Sequence, residues 1–126
     1  MKQLFENCAI STLELSSRTV RSATWSGVGD EKGYVTDRAD AVYGDLAKGE
    51  IGLIITGYQY VLTNGLQLPY MLGNYEEGQL PGLKQLADLV HSHNGKIIPQ
   101  LVHTGIRANK KLLQEGDEVW APSAIP

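Results

Sequence analysis

A parallel α/β fold is predicted by three observations. Strand-like and helix-like segments alternate along the 126 residues as strand, helix, strand, helix, strand, the order of βαβ units. The middle run, Ile51-Gly52-Leu53-Ile54-Ile55-Thr56, is apolar and largely β-branched without alternation, as befits a strand buried on both faces of a parallel sheet. The third run, Lys96 to Leu101, carries the polar Gln100 at its carboxyl end and leads into His103-Thr104-Gly105-Ile106-Arg107. Polar groups at the carboxyl ends of strands in such layouts commonly face a ligand.

Each element has its own signal. Thr19 to Thr24 is the first strand; its polar content makes context the argument for it, and Gly27, Gly29 and Gly33 then mark a loop. Thr36 can cap a helix whose first turn holds Asp37. Ala39, Val42, Tyr43, Leu46 and Ala47 fall at i, i+3, i+4, i+7 and i+8, one apolar helix face, and Gly49 ends it. After the middle strand, residues 57–78 read as a long loop rich in Gly, Asn and Tyr, a length that usually serves a site or a partner. Pro81 opens the second helix, with Leu83, Leu86, Ala87 and Val90 on one face and Asn94-Gly95 at its end. Pro99 cannot donate to a ladder, so it is expected near the end of the third strand. Val119 to Pro126 reads as extended.

Composition narrows the function classes. With 42% hydrophobic and 20% charged residues, the chain reads as one soluble globular domain with a core. A net charge of −3 argues against nucleic acid, which needs a concentrated basic face. Arg107 with Lys110-Lys111 is the one basic cluster and reads as a solvated face. Cys8 is the single cysteine, which rules out an internal disulfide framework. No apolar run spans a bilayer and no signal-peptide pattern opens the chain, so the cytoplasm is the expected location.

Several chemistries find little support in the residues. His91 and His93 project from different helix faces, and His103 lies far along the chain, a poor zinc framework. Gly27-Val28-Gly29-Asp30-Glu31-Lys32-Gly33 has one residue too many for a dinucleotide fingerprint and two acids where a pyrophosphate would sit, so it reads as a plain turn. Ser26-Gly27 lacks the preceding Gly of a nucleophile elbow, and Ser16 and Ser17 read as turn residues. The strand ends remain: Ser22-Ala23-Thr24-Trp25, Thr56-Gly57-Tyr58 and Gln100. An amide side chain both donates and accepts, so Gln100 can read the edge of a flavin or nucleobase, or simply bond to loop backbone. Small residues such as Ser22, Ala23 and Gly57 let a flat ring approach the backbone.

Arg18-x-Val20-Arg21-Ser22-Ala23-Thr24-Trp25 resembles the first strand of the Old Yellow Enzyme family of FMN-dependent NADH:flavin oxidoreductases, particularly the subgroup near 2,4-dienoyl-CoA reductases. Gly52-Leu53-Ile54-Ile55-Thr56-Gly57 is similar to that family's second strand, Gln100-Leu101-x-His103-x-Gly105 to its third, and Ala121-Pro122-Ser123-Ala124 to the segment after it. The likeness implies the first three β/α units of a (β/α)₈ TIM barrel, incomplete in this chain, with residues 1–126 as the N-terminal part of an FMN-binding domain. A closed barrel has eight strands and typically about 250 residues. It also implies hydride transfer from NAD(P)H, through flavin, to an activated alkene. By resemblance the flavin contacts are Ser22, Ala23, Thr24, Trp25, Tyr58 and Gln100, with Gln100 on the pyrimidine edge and the first-strand contacts made largely by backbone.

Three departures stand out. Trp25 lies where many members carry Thr or Cys near the flavin carbonyl, and Trp cannot accept a hydrogen bond. Gly27 matches a position that can hold a substrate-contacting aromatic. Arg107 falls one residue later than the family's His-x-Gly-Arg. The family's carbonyl-binding His/Asn pair, phosphate-binding arginine and proton donor come from later strands. No catalytic residue is therefore assigned, and the expectation is weak FMN binding or none, no turnover by this chain alone, and self-association or pairing with a C-terminal part. The alternative is a non-catalytic α/β binding or assembly module derived from the same barrel.

Overall fold

The computed structural model describes residues 3–124. It opens with an element the sequence did not announce, a hairpin of β1 (Cys8–Ile10) and β2 (Leu13–Leu15), paired antiparallel with Cys8 opposite Leu15. The strands have three residues each, too few to show alternation, and the turn is Ser11-Thr12 rather than a Gly-containing pair, with Ser11 itself at φ 54°. Then come β3 (Val20–Arg21), α1 (Asp37–Lys48), β4 (Leu53–Tyr60), α2 (Leu80–Ser92) and β5 (Lys96–Val102). The sheet order is β3-β4-β5 and both pairings are parallel. This is the predicted βαβαβ order, and the sheet is open, with β3 and β5 as its edges.

β3 is shorter than the expected Thr19–Thr24. Past Arg21 the chain satisfies itself locally: the Arg21 guanidinium donates to the Ser22 carbonyl at 2.7 Å, and the Thr24 hydroxyl donates to the same oxygen at 3.3 Å. The alignment of β3 on β4 is set from its other side. Ser17 lies in a bend, as expected, but it is buried; its hydroxyl donates to Glu50 O at 2.7 Å and accepts from Gly52 N–H at 3.0 Å. A Cβ at position 52 would lie 2.4 Å from Ser17 O, so only glycine permits this approach.

Both helices cover one face of the sheet. Thr36 occupies the cap position of α1, yet its hydroxyl donates to Val28 O at 2.7 Å instead of accepting from the first turn. Ala39, Tyr43 and Ala47 of α1, Leu86 and Val90 of α2, and Ile54 of β4 close over Val28 and Leu72 in one apolar core, with Val42, Leu46 and Ile97 packed against it. α2 begins at Leu80, and Pro81 stands in its first turn, where no intrahelical donor is needed. Leu83 and Ala87 of α2, with Ile97 and Pro99 of β5, bound an open groove of about 850 Å³.

Pro99 lies in the middle of β5, not near its end. Lys96 and Gln100 turn their N–H groups toward β4, to Gly52 O and the Thr56 hydroxyl. By alternation the nitrogen of Pro99 faces the open edge, where a missing donor removes no ladder bond. The face turned away from the helices stays largely uncovered: Val20 is 48% and Ile98 43% exposed. In a closed barrel that face is the interior.

Two glycines predict opposite effects on stability. Gly52→Ala forces a methyl into the Ser17 carbonyl and is expected to cost about 1–3 kcal/mol. Gly44→Ala lies within α1 with its nearest neighbour, Leu89 Cδ2, at 3.4 Å, and is expected to gain up to about 1 kcal/mol. Urea unfolding midpoints of the two variants check the sign of each.

Candidate functional site at the strand ends

The site is built by an irregularity inside β4. The ladder runs Leu53 with Lys96, Ile54 with Ile97 and Ile55 with Ile98, then jumps to Tyr58 with Gln100. Thr56 and Gly57 of β4 therefore oppose Pro99 alone, a β-bulge. Three partners close the break. The Thr56 hydroxyl accepts Gln100 N–H at 3.2 Å, and the Tyr43 phenol oxygen accepts Gly57 N–H at 3.1 Å. Gln59 Nε2 donates to the Thr56 hydroxyl at 3.3 Å, and Gln59 Oε1 accepts from Asn74 Nδ2 at 3.1 Å.

The bulge decides which side chains face which way. Regular alternation would put Tyr58 on the helix side with Ile54 and Thr56. The extra residue turns Tyr58 onto the uncovered face with Ile55 and sends Gln59 to the helix side, where it is 1% exposed. Cα partners in a parallel pair share a face, so Gln100 stands beside Tyr58 on the uncovered side. Gly57 adds the first strand's continuation: a Cβ there would lie 2.8 Å from Thr24 O and 3.3 Å from Trp25 Cα. Ser22 to Trp25, Tyr58 and Gln100 thus form one contiguous row across three strand ends.

Within that row the groups differ. Ser22, Thr24, Trp25 and Gln100 are exposed, while Ala23 and Tyr58 are half-buried. The Tyr58 phenol donates to Gln67 Oε1 at 3.4 Å, and burial pushes its pKa up from the ordinary value. Among the described residues the Gln100 side-chain amide has no hydrogen-bond partner, so both its donor and its acceptor are free to meet a ligand. The Trp25 indole lies over Gly27, with Cζ2 3.1 Å from where a Cβ would stand.

Residues 57–78, read from sequence as one loop, contain the last four residues of β4 and a short 3₁₀ turn, Thr63–Gly65, and run into a second, Glu77–Gln79. The remainder is strapped to the glycine turn at 27–33. Gly29 N–H donates to Tyr70 O, Gly73 N–H to Gly33 O, and Gln79 Nε2 to Lys32 O. The turn itself is organised by Asp30, whose carboxylate accepts from the N–H groups of Lys32 and Tyr34. Tyr60, 3% exposed, donates to Lys32 O at 3.0 Å. Burial, reinforced by Tyr75, Asp30 and Glu76, holds its phenol neutral well above the ordinary value of 10.0.

His103 follows β5 and fixes the next segment. Its Nδ1 accepts Gly105 N–H at 3.1 Å, which assigns the ring proton to Nε2 and makes it the donor to Asn64 Oδ1 at 2.9 Å. Asn64 Nδ2 donates to Glu118 O, and the Trp120 ring stacks on His103 with centroids 6.1 Å apart. His103 is thus a structural latch. Arg107, Lys110 and Lys111 are exposed.

The sequence groups Thr56 with the ligand-facing strand ends; in the structure it is 2% exposed on the helix side and, with Tyr43 and Gln59, braces the bulge, a role the sequence does not signal. A glycine inside a strand-like run is the one signal that could have located the bulge. Thr56→Val and Tyr43→Phe each strip one hydroxyl from a satisfied N–H and are each expected to cost about 1–3 kcal/mol by urea unfolding. Tyr60 also predicts a pH dependence. The unfolded phenol ionises near 10 while the folded one stays neutral, so this stability is full below pH 10 and lost as pH rises above it. Tyr60→Phe is expected to flatten the decline between pH 10 and 11.5, followed by circular dichroism melts.

The comparisons with known proteins agree on one family. The sequence profile of the NADH:flavin oxidoreductase / NADH oxidase family matches residues 3–125. An NADPH dehydrogenase of Listeria monocytogenes serotype 4a (strain HCC23) is 35% identical over 127 residues, covering 100% of this chain and 36% of that protein. An NADH oxidase of Thermoanaerobacter brockii is 31% identical, covering 98% of this chain and 19% of that protein. Among solved structures, the Old Yellow Enzyme of Pichia sp. AKU4542 superposes with a TM-score of 0.88 at 28% identity, over 97% of this chain and 32% of that one. Morphinone reductase in complex with tetrahydroNAD shares the fold at a TM-score of 0.86 and 23% identity, over 99% and 34%. The chain spans about a third of the length of the NADPH dehydrogenases it matches. With its open parallel sheet and this profile match, the chain belongs to the NADH:flavin oxidoreductase / NADH oxidase family.

Proposed function

We propose that residues 1–126 are the flavin-facing, N-terminal part of an FMN-dependent NAD(P)H oxidoreductase that reduces activated alkenes, and that this chain does not turn over alone. The observation that carries the reading is the row of three strand ends on the uncovered face, above all the Gln100 amide beside Tyr58, which has no hydrogen-bond partner among the described residues. Gln100 would bond the pyrimidine edge of the isoalloxazine. The backbone of Ser22 and Ala23, followed by Thr24 and Trp25, would line one border, and Tyr58 would flank the ring. When bound, FMN supplies the hydride chemistry; these residues orient the ring and keep its polar edge hydrogen-bonded.

The donor set fits the ring and not the phosphate. Phosphates are held by arginine, lysine or helix N-termini, and the one such group against the row, the Arg21 guanidinium, is already engaged by Ser22 O and the Thr24 hydroxyl. Ring binding by these residues therefore predicts that FMN and riboflavin bind alike. Flavin fluorescence titration is expected to show weak binding, with the affinities of FMN and riboflavin within about threefold of each other, and weaker still in Gln100→Leu. Binding of neither flavin, or binding unaffected by Gln100→Leu, contradicts the reading.

The second reading, a non-catalytic assembly module, draws on the open β5 edge and the groove beside α2. Leu101 on that edge is 58% exposed, and unpaired strand edges invite pairing. A stable oligomer by light scattering, with no flavin affinity, would favour it.

A further inference from the structure

We propose that Asn74 is a positioning residue for the strand-end row: it orients the Gln59 amide, which sets the direction of the Thr56 hydroxyl and so holds Gln100 in place. The proposal deepens the flavin reading and rests on it only for what Gln100 then binds.

The hydrogen bonds behind the row run in one direction. Gln100 N–H can only donate, and it takes one lone pair of the Thr56 hydroxyl at 3.2 Å. The hydroxyl proton goes to Gly57 O at 2.8 Å. What remains on that oxygen is an acceptor, so Gln59 must turn its Nε2 toward it, at 3.3 Å. Gln59 Oε1 then faces Asn74 and needs a donor, which Asn74 Nδ2 supplies at 3.1 Å. Gln59 is 1% exposed, so without Asn74 its Oε1 would have no water to turn to in that orientation.

Asn74 is itself held by backbone on both flanks. Its own N–H donates to Tyr60 O at 2.9 Å, and the N–H groups of Gly73 and Tyr75 donate to Gly33 O and Gln79 Oε1. The side chain therefore reaches β4 from an anchored segment. An aspartate at this position would keep the shape and remove the donor. Gln59 would then turn Nε2 to the carboxylate and Oε1 to Thr56. The Thr56 proton would have to swing from Gly57 O to that oxygen, and the lone pair facing Gln100 N–H would swing with it. The effect reaches the row although, among the described residues, no hydrogen bond joins Asn74 to it.

The test is amide hydrogen exchange, read by NMR, on the ¹⁵N-labelled full chain without flavin. Asn74→Asp and Asn74→Leu are each expected to exchange Gln100 N–H about three- to tenfold faster than the parent. Leu53 N–H, which donates to Thr19 O at the other end of β4, is the reference and is expected to stay within about twofold. A merely structural loss would speed both. In a Gln59→Met background, Asn74→Leu should add no further acceleration, because it acts through that amide. FMN and riboflavin should each bind about three- to tenfold more weakly to both variants. Parent-like exchange at Gln100 in either variant, equal acceleration at Leu53, or an additive effect in the Gln59→Met background would overturn the proposal. So would unchanged flavin affinity beside faster Gln100 exchange. If the parent binds neither flavin while Gln100 responds, the flavin reading fails and the hold of Asn74 on Gln100 stands; flavin binding with no response at Gln100 reverses that outcome.

Discussion

The hydroxyl of Thr56 is the interaction on which the site depends. One oxygen replaces a ladder carbonyl for Gln100 N–H and holds the Gln59 amide, while Tyr43 takes up the neighbouring Gly57 N–H. A buried N–H left unsatisfied costs more than an ordinary hydrogen bond gains, so the bulge exists because these groups are all met. Its consequence is a change of side for every later residue of β4. Tyr58 turns to the uncovered face and Gln59 into the packed layer. The helix layer and the strand-end row are therefore not independent: a phenol on α1 supports the geometry at the carboxyl end of β4.

The openness of the sheet is the second constraint. β4 is paired on both sides, but β3 has two residues and β5 carries its free edge. Pro99 blunts part of that edge, since its nitrogen cannot recruit a strand. Below the sheet, Ser17 and Gly52 lock β3 to β4 through backbone contact too close for any side chain. This lock lies at the opposite end of the strands from the proposed ligand. The end that carries Trp25, Tyr58, Tyr70 and Gln100 depends on loop straps, with Tyr60 and Gln79 converging on the Lys32 carbonyl.

Much of this was legible in the sequence. The apolar run at 51–56 marked the central strand, and the 3.6-residue spacing from Ala39 to Ala47 marked the buried face of α1. Gln100 was legible as a polar residue where a parallel strand ends. The hairpin at 8–15 was not, because three-residue strands leave no periodicity. Nor was the role of Ser17, whose partners at Glu50 and Gly52 lie more than thirty residues away. The length of β4 was hidden by Gly57 and the polar Tyr58-Gln59-Tyr60, which lack strand alternation because the bulge resets it. Pro99 misled for the same reason: it marks the bulge and a free edge rather than a strand end.

Everything proposed for the site requires that Gln100 stand beside Tyr58. Nuclear Overhauser contacts between assigned side chains of β4 and β5 measure this most directly. The account predicts contacts from the Tyr58 ring to the Gln100 side chain, with Gln59 near Thr56 and Asn74. A regular ladder would instead set Gly57 opposite Gln100 and Tyr58 opposite Leu101; contacts between the Tyr58 ring and Leu101, with none to Gln100, would contradict it.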